Sequence, residues 1–316
     1  MKVLVTGSSG VAGQGLKSVA SDYPQMDYIF STSRDCDLTD LSSTKKYFNK
    51  IRPDVVIHLA AKSGGIGLSI KHPATLLFEN VIMNLSVLEA AKDTGVKKIV
   101  MTLSSGMYPP DATLPLNEDS IHSGVPHHSN SGYSFAKRLV EPAITAYKQE
   151  YGLCSIGLIP NGIFGENDNF SDDAPMLPSL IRRFYENKNT KENIVIWGDG
   201  SPLREWTYSK DLARAFMWCV ENYSDTQVLN IGNTEEYSVK DIALMIAEIM
   251  GIASDRIDFD TSKSSGVYRK STDNSRFINL SNFKYTSFKS GLEKTIEWFA
   301  FSYENNPEII RMSKKS

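Results

Sequence analysis

The chain's 316 residues suit one large or two intimately joined domains rather than a small module. Apolar residues make up 41% and charged ones 22%, which excludes disordered and collagen-like chains. With 34 basic against 37 acidic side chains the net charge is −3, so general affinity for nucleic acid or an anionic membrane is excluded, and no apolar run reaches the roughly 18 residues of a bilayer span.

In chain order, the first half alternates β-rich runs with helical stretches. Strands are predicted at 2–6, 28–32, 55–59, 98–103 and 155–159, and helices at 12–20, 41–50, 76–94 and 133–151. Strands apolar on both faces and separated by helices imply a doubly wound, Rossmann-like parallel sheet. The first strand runs straight into a glycine turn without the long apolar stretch of a signal peptide, so a cytoplasmic protein is expected. Cys36, Cys154 and Cys219 are odd in number and widely spaced, which predicts buried structural thiols, with neither a disulfide framework nor a metal site. From Asn161 the pattern loosens around Gly165, Pro175, Pro178, Gly198, Gly200 and Pro202. A helix at 178–186, a strand at 194–197 and a helix at 239–250 predict a smaller α/β lobe. An amphipathic helix at 211–223, with Ser209 as N-cap, is expected to return to the first domain. The division predicted is a dinucleotide-binding domain over 1–160 with a return around 206–231, a substrate lobe over most of 161–316, and a fraying tail from about residue 305.

Gly7, Gly10 and Gly13 form G-x-x-G-x-x-G between the first strand and the first helix, where bare backbone N–H groups can approach a pyrophosphate. The second strand ends in Ser31-Thr32-Ser33-Arg34, with no acidic residue before Asp35. Three hydroxyls and a guanidinium suit a ribose 2′-phosphate better than a 2′-hydroxyl, so NADP(H) is the expected cofactor. Tyr133 and Lys137 lie one helical turn apart, an arrangement in which an ammonium lowers the pKa of a phenol that must exchange protons. Ser104, ending the fourth strand, adds a hydroxyl to the same carbonyl oxygen.

These signatures, with Ser104-Ser105-x-x-Tyr108-Pro109 and Tyr133-Ser134-Phe135-Ala136-Lys137, resemble the extended short-chain dehydrogenase/reductase family. His58-Leu59-Ala60-Ala61-Lys62-x-Gly64-Gly65, Asp168-Asn169-Phe170 and Trp197-Gly198-x-Gly200-x-Pro202-x-Arg204-Glu205 are similar to its GDP-L-fucose synthase branch. The likeness runs to about Phe299. It implies that Asp37 and Leu38 lie near adenine and Ala60 and Ala61 near the pyrophosphate and ribose. Pro160, Asn161 and Ile163 would then border the nicotinamide and substrate, with Lys137 holding the nicotinamide ribose. Ser104 and Tyr133 would polarise a C4 ketone, with Tyr133 as proton donor, and Arg183, Trp197, Arg204 and Lys270 would hold GDP. The resemblance also implies a homodimer through the helix at 76–92 and the Tyr133 helix.

Two departures stand out. The branch carries a cysteine after the Ser-Ser pair and a histidine after Asp-Asn-Phe as its epimerisation acid and base; this chain has Gly106 and Pro175 there. Neither side chain carries a titratable proton. His127, His128, Asp172 and Asp173 are the available substitutes. Ser265 stands where an acidic residue is familiar before the Gly266 turn. The expected activity is an NADPH-dependent C4 reductase of a GDP-linked 4-keto-6-deoxy sugar, hexose or heptose. A complete epimerase–reductase using other acid/base groups and a non-catalytic dinucleotide-binding regulator are the alternatives.

Overall fold

The computed structural model describes residues 1–263 and 267–312; the Ser265 position lies outside the described residues. Its first half holds β1 (Lys2–Thr6), α1 (Val11–Val19), β2 (Asp27–Ser31), α2 (Leu41–Ile51) and β3 (Val55–His58). There follow α3 (Ile66–Lys71), α4 (Pro73–Thr94), β4 (Lys98–Thr102), α5 (Ser131–Arg138), α6 (Val140–Tyr151) and β5 (Ser155–Pro160). The second half holds β6 (Gly162–Phe164), α7 (Met176–Asn187), β7 (Ile194–Trp197), β8 (Leu203–Tyr208), α8 (Ser209–Asn222) and β9 (Leu229–Ile231). It ends with β10 (Glu236–Ser238), α9 (Val239–Met250), β11 (Ile257–Asp260), α10 (Ser275–Ser281) and α11 (Phe288–Asn305).

Six parallel strands in the order β2-β1-β3-β4-β5-β9 form the main sheet. Strand order reverses between β1 and β3, which places the binding crevice of such a sheet beyond their carboxyl ends. One core fills the side bearing Phe48, Val87, Leu88, Ile99 and Ile144, and another the side bearing Val3, Val5, Leu16, Ile57 and Phe216. A third core, around Phe164, Phe170, Phe184, Ile242 and Phe299, belongs to the second lobe. That lobe carries a three-stranded sheet, β10-β8-β6, and a two-stranded one, β11-β7.

Local chemistry sets the element ends. Asp40 caps α2 by accepting from the Ser42 and Ser43 amides at 2.8 and 3.1 Å, and Ser238 with Asp241 closes a capping box on α9. The single helix expected at 133–151 is broken at Leu139. Pro142 has no N–H to give the Arg138 carbonyl, so the helical ladder is interrupted there. Ser209 is not the N-cap of α8: Tyr208 occupies that position and Ser209 is the first helical residue, buried. It is a packing contact instead, since a Cβ on Gly15 would come within 2.4 Å of its carbonyl oxygen. The return to the main sheet therefore starts with α8, β8 belonging to the second lobe. A further crossing through α10 sends Phe277 into the main-sheet core. The tail is fixed, not frayed, as far as it is described: Ile310 is buried and the Phe170 amide donates to the Arg311 carbonyl at 2.9 Å. By length and composition α4 could span a bilayer, against the reading that no run is long enough, yet its Leu76, Val87, Leu88, Ala90 and Ala91 are packed against the protein.

Candidate active site

A cleft of about 960 Å³ opens at the switch point between β1 and β3. Its lining includes Gly7, Gly10, Gly13, Ser31, Ser33, Asp37, Leu38, Ala60, Ala61, Pro160 and Ile163 from the cofactor set, together with Ser104, Tyr133 and Lys137. Gly7 has φ +69°, and a Cβ there would meet the Ala60 nitrogen at 2.5 Å, so only glycine lets the turn pass over the end of β3. At Gly10, the N-cap of α1, a Cβ would touch only the Gly7 carbonyl at 3.5 Å, and the first turn carries no acidic residue. The helix's amide end is thus accessible and free of competing negative charge, as an anion site requires.

The end of β2 is read by where its carboxylates point. Asp35 accepts from the Thr32 amide at 2.8 Å and from its hydroxyl at 2.9 Å, and these bonds hold its carboxyl below the usual range. Asp37 is likewise turned onto Thr39, through its amide at 2.9 Å and its hydroxyl at 2.6 Å. Ser31, Thr32 and Ser33 face the cleft; Arg34 is exposed and outside its lining, so its reach to a ligand is from the rim.

Tyr133 and Lys137 project from α5, which the Ser134 hydroxyl ties to the Gly106 carbonyl at 2.8 Å while Arg138 donates to the Met107 carbonyl. These bonds hold the helix against the segment that carries Ser104. Lys137 is buried and donates to the Thr102 carbonyl at 2.7 Å, its ammonium 5.9 Å from the Tyr133 ring centre. Burial pulls it down to about 8. The phenol is not lowered as the spacing predicted. Burial pushes Tyr133 up to about 12, with only the Ser104 hydroxyl acting the other way. A phenol in that range is protonated at neutral pH, the state a proton donor needs.

Beneath the site runs a buried chain that sequence patterning did not reveal. His58 Nδ1 lies 2.8 Å from the Thr6 hydroxyl and Nε2 lies 3.2 Å from Asn84 Oδ1. Asn84 in turn donates to the Ala136 carbonyl of α5 at 3.3 Å. Burial first, and Lys137 second, lower His58 to about 3. A neutral imidazole is therefore built into the support of the Tyr133 helix.

The far wall comes from the second lobe and includes Asn161, Asp168, Pro175, Trp206 and Arg311. Asn161, expected to bind substrate, spends both amide hydrogens on Glu205 (3.1 Å) and the Asn233 carbonyl (2.8 Å), while Thr207 donates to its oxygen at 2.6 Å. It holds the wall together. Asp168 was visible only as part of a family signature, and nothing in the sequence pattern singled out Trp206 or Arg311. Gly106 lies beside Ser104, where a Cβ would stand 3.4 Å from its hydroxyl oxygen. None of His127, His128, Asp172 and Asp173 lines the cleft; His127 borders a separate small pocket with Gly106 and Lys270, and Asp172 pairs with Arg182 at 3.0 Å.

The expected GDP residues also stand outside the cleft. Trp197 is 68% exposed at the end of β7. Arg183 donates to the Val195 carbonyl, and Arg204 to the carbonyls of Leu203 (2.7 Å) and Tyr268 (3.4 Å). Burial, then the neighbouring Arg204, lower Lys270. Burial likewise lowers Arg183 and Arg204, and among the described residues no carboxylate offsets the burial of these three cations.

The model of the NAD dependent epimerase/dehydratase family matches residues 3–232. The chain belongs to that family. It is 37% identical over 308 residues to the GDP-L-fucose synthase of Dictyostelium discoideum, covering 96% of each chain. The GDP-L-fucose synthetase of Naegleria fowleri bound to NADP superposes with a TM-score of 0.90 at 32% identity, over 98% of this chain and 96% of that one. The GDP-mannoheptose C4 reductase of Campylobacter jejuni with NADP bound gives 0.86 at 26% identity, over 94% and 98%. This family member is a dinucleotide-dependent oxidoreductase of the extended short-chain dehydrogenase/reductase type, with relatives that act on GDP-sugars.

Proposed function

We propose that the protein is an NADPH-dependent C4 reductase of a GDP-linked 4-keto-6-deoxy sugar, hexose or heptose, that does not efficiently epimerise the neighbouring carbons. The observation that carries the reading is the meeting of Ser104, Tyr133 and Lys137 in one cleft, with Pro175 in its lining and Gly106 beside Ser104, at the two positions where the family resemblance expects the proton-transfer pair. The glycine turn and the amide end of α1 fit the pyrophosphate, Ser31 and Ser33 the 2′-phosphate with Arg34 at the rim, and Pro160 and Ile163 the nicotinamide face. NADPH supplies the hydride when bound. Ser104 and Tyr133 hold the ketone oxygen, Tyr133 gives it a proton, and Lys137 steadies the ribose. Arg183, Arg204 and Lys270 supply positive charge for the diphosphate, with Trp197 against the base or sugar. A second copy of the chain is the proposed partner, through α4 and α5, and the cytoplasm the proposed location.

Epimerisation needs a proton removed next to the ketone and another returned to the opposite face; reduction needs neither. The test supplies GDP-4-keto-6-deoxy-mannose and NADPH in D₂O and reads the product by NMR. The expected product has unlabelled C3 and C5 and retained configuration. Deuterium at both carbons in a GDP-fucose product, formed as fast as NADPH is consumed, would make the protein a complete epimerase–reductase.

A further inference from the structure

Two side chains in the cleft wall are built as hydrogen-bonding groups and given nothing inside the protein to bond. Asp168 is 4% exposed; its Oδ1 accepts from the Asn169 amide at 2.7 Å, whereas Oδ2 is buried without a hydrogen-bond partner among the described residues. Trp206 is 8% exposed, and its indole Nε1, a donor only, is also buried without a partner. Both belong to the second-lobe side of the cleft that holds Ser104, Tyr133 and Lys137.

Their placement follows from the fold. Gly162 pairs with Trp206 across β6 and β8, and a Cβ at Gly162 would come within 2.9 Å of the indole, so the small residue admits the large ring. Phe164 packs edge-on to that ring at 6.4 Å. Past Phe164 the chain turns through Asn167 at φ +62°, a conformation a non-glycine residue seldom adopts, and delivers Asp168 to the same side. A buried carboxylate oxygen and a buried indole N–H each forfeit hydration, and what sets these two apart from other unpaired buried atoms is their place in the cleft wall, where a ligand can complete them.

We propose that Asp168 and Trp206 form a subsite that recognises hydroxyl groups of the sugar, Asp168 accepting from one and Trp206 donating to one. The proposal rests on the GDP-sugar reading above and deepens it: the sugar carries free hydroxyls on the side facing the second lobe. Burial pushes the Asp168 carboxyl up to about 7, while the Asn169 amide and then Arg311, at the cleft edge, act the other way and favour its charged, accepting form. A site that pairs a hydroxyl rejects an analogue lacking it, because the protein groups are then left unpaired.

The experiment titrates the NADP⁺-loaded protein calorimetrically with GDP and with GDP-mannose. Trp206→Phe keeps an aromatic ring beside Gly162 and Phe164 and removes the N–H together with the rest of the pyrrole ring; Asp168→Asn keeps an oxygen for the Asn169 amide. Each is expected to weaken GDP-mannose about tenfold and leave GDP unchanged. Unchanged affinity for both probes, or equal weakening of both, would overturn the subsite while leaving the GDP-sugar reading in place. Failure of the unaltered protein to bind either probe would remove the GDP-sugar reading and the subsite with it. Deuterium incorporation at C3 or C5 that vanishes in Asp168→Asn would make Asp168 a proton-transfer group and overturn the recognition role.

Discussion

At the residue scale the proposed chemistry rests on Tyr133. Its burial keeps the phenol protonated, so Tyr133→Phe is expected to cost about two or more powers of ten in reduction rate with NADPH affinity largely intact. Steady-state rates beside fluorescence titration of NADPH check this, and near-normal turnover would exclude the phenol as donor. The cofactor preference is also a single-residue matter. Asp35 is bonded to Thr32 and stands outside the cleft lining, and Asp37 is held onto Thr39 by its Oδ1, while the hydroxyl residues Ser31 and Ser33 line the cleft. NADPH is expected to bind tighter than NADH, and Arg34→Ala to weaken NADPH alone. Equal weakening of both cofactors would show that Arg34 does not reach the 2′-phosphate from the rim.

Among the elements, β1, β3, α4 and α5 are joined by the chain Thr6–His58–Asn84–Ala136. His58 titrates near 6.5 when unfolded and near 3 when folded, a depressed value. Its neutral form therefore contributes stability that is present above pH 6.5 and lost as pH falls towards 3, at up to about 1.4 kcal/mol per pH unit. His58→Gln cannot take up that proton. Thermal melts between pH 7 and pH 4 should show a shallower loss for the variant; an identical slope would mean that His58 is protonated in the fold. The element scale also shows what pattern reading reached. Alternation of apolar strands and helices made β1 to β5 and α1, α2 and α4 legible, because burial on both faces leaves a plain sequence trace. The strands β6, β9 and β10 leave no such trace, since three residues hold too few periods, and β8 sets Arg204, Glu205 and Thr207 among its apolar residues.

At the scale of the molecule, the neighbouring helices α4 and α5 leave Leu77, Phe78 and Phe135 exposed, together with Leu139 at the break after α5. Burying that face in a four-helix contact with a second copy would explain the apolar girth of α4. Sedimentation is expected to show a dimer that Phe78→Asp combined with Leu139→Lys converts to monomer while melting stays cooperative. A monomeric unaltered protein, or a dimer indifferent to the pair, would put the contact elsewhere.

The sequence by itself determined the Rossmann-like class, the glycine turn and the serine–tyrosine–lysine set. Each depends on residues close in the chain or on a period that local backbone geometry imposes, and the motif's resemblance supplied the roles. Only the tertiary structure decided that Asn161 is bonded away, that Tyr133 is raised rather than lowered, and that Asp168, Trp206 and Arg311 wall the cleft. Those outcomes depend on burial and on partners brought together by β6–β8 pairing and by the docked tail. Asn161 meets Asn233 across 72 positions of sequence. No spacing rule reaches that far, because desolvation and hydrogen-bond satisfaction are properties of the packed chain.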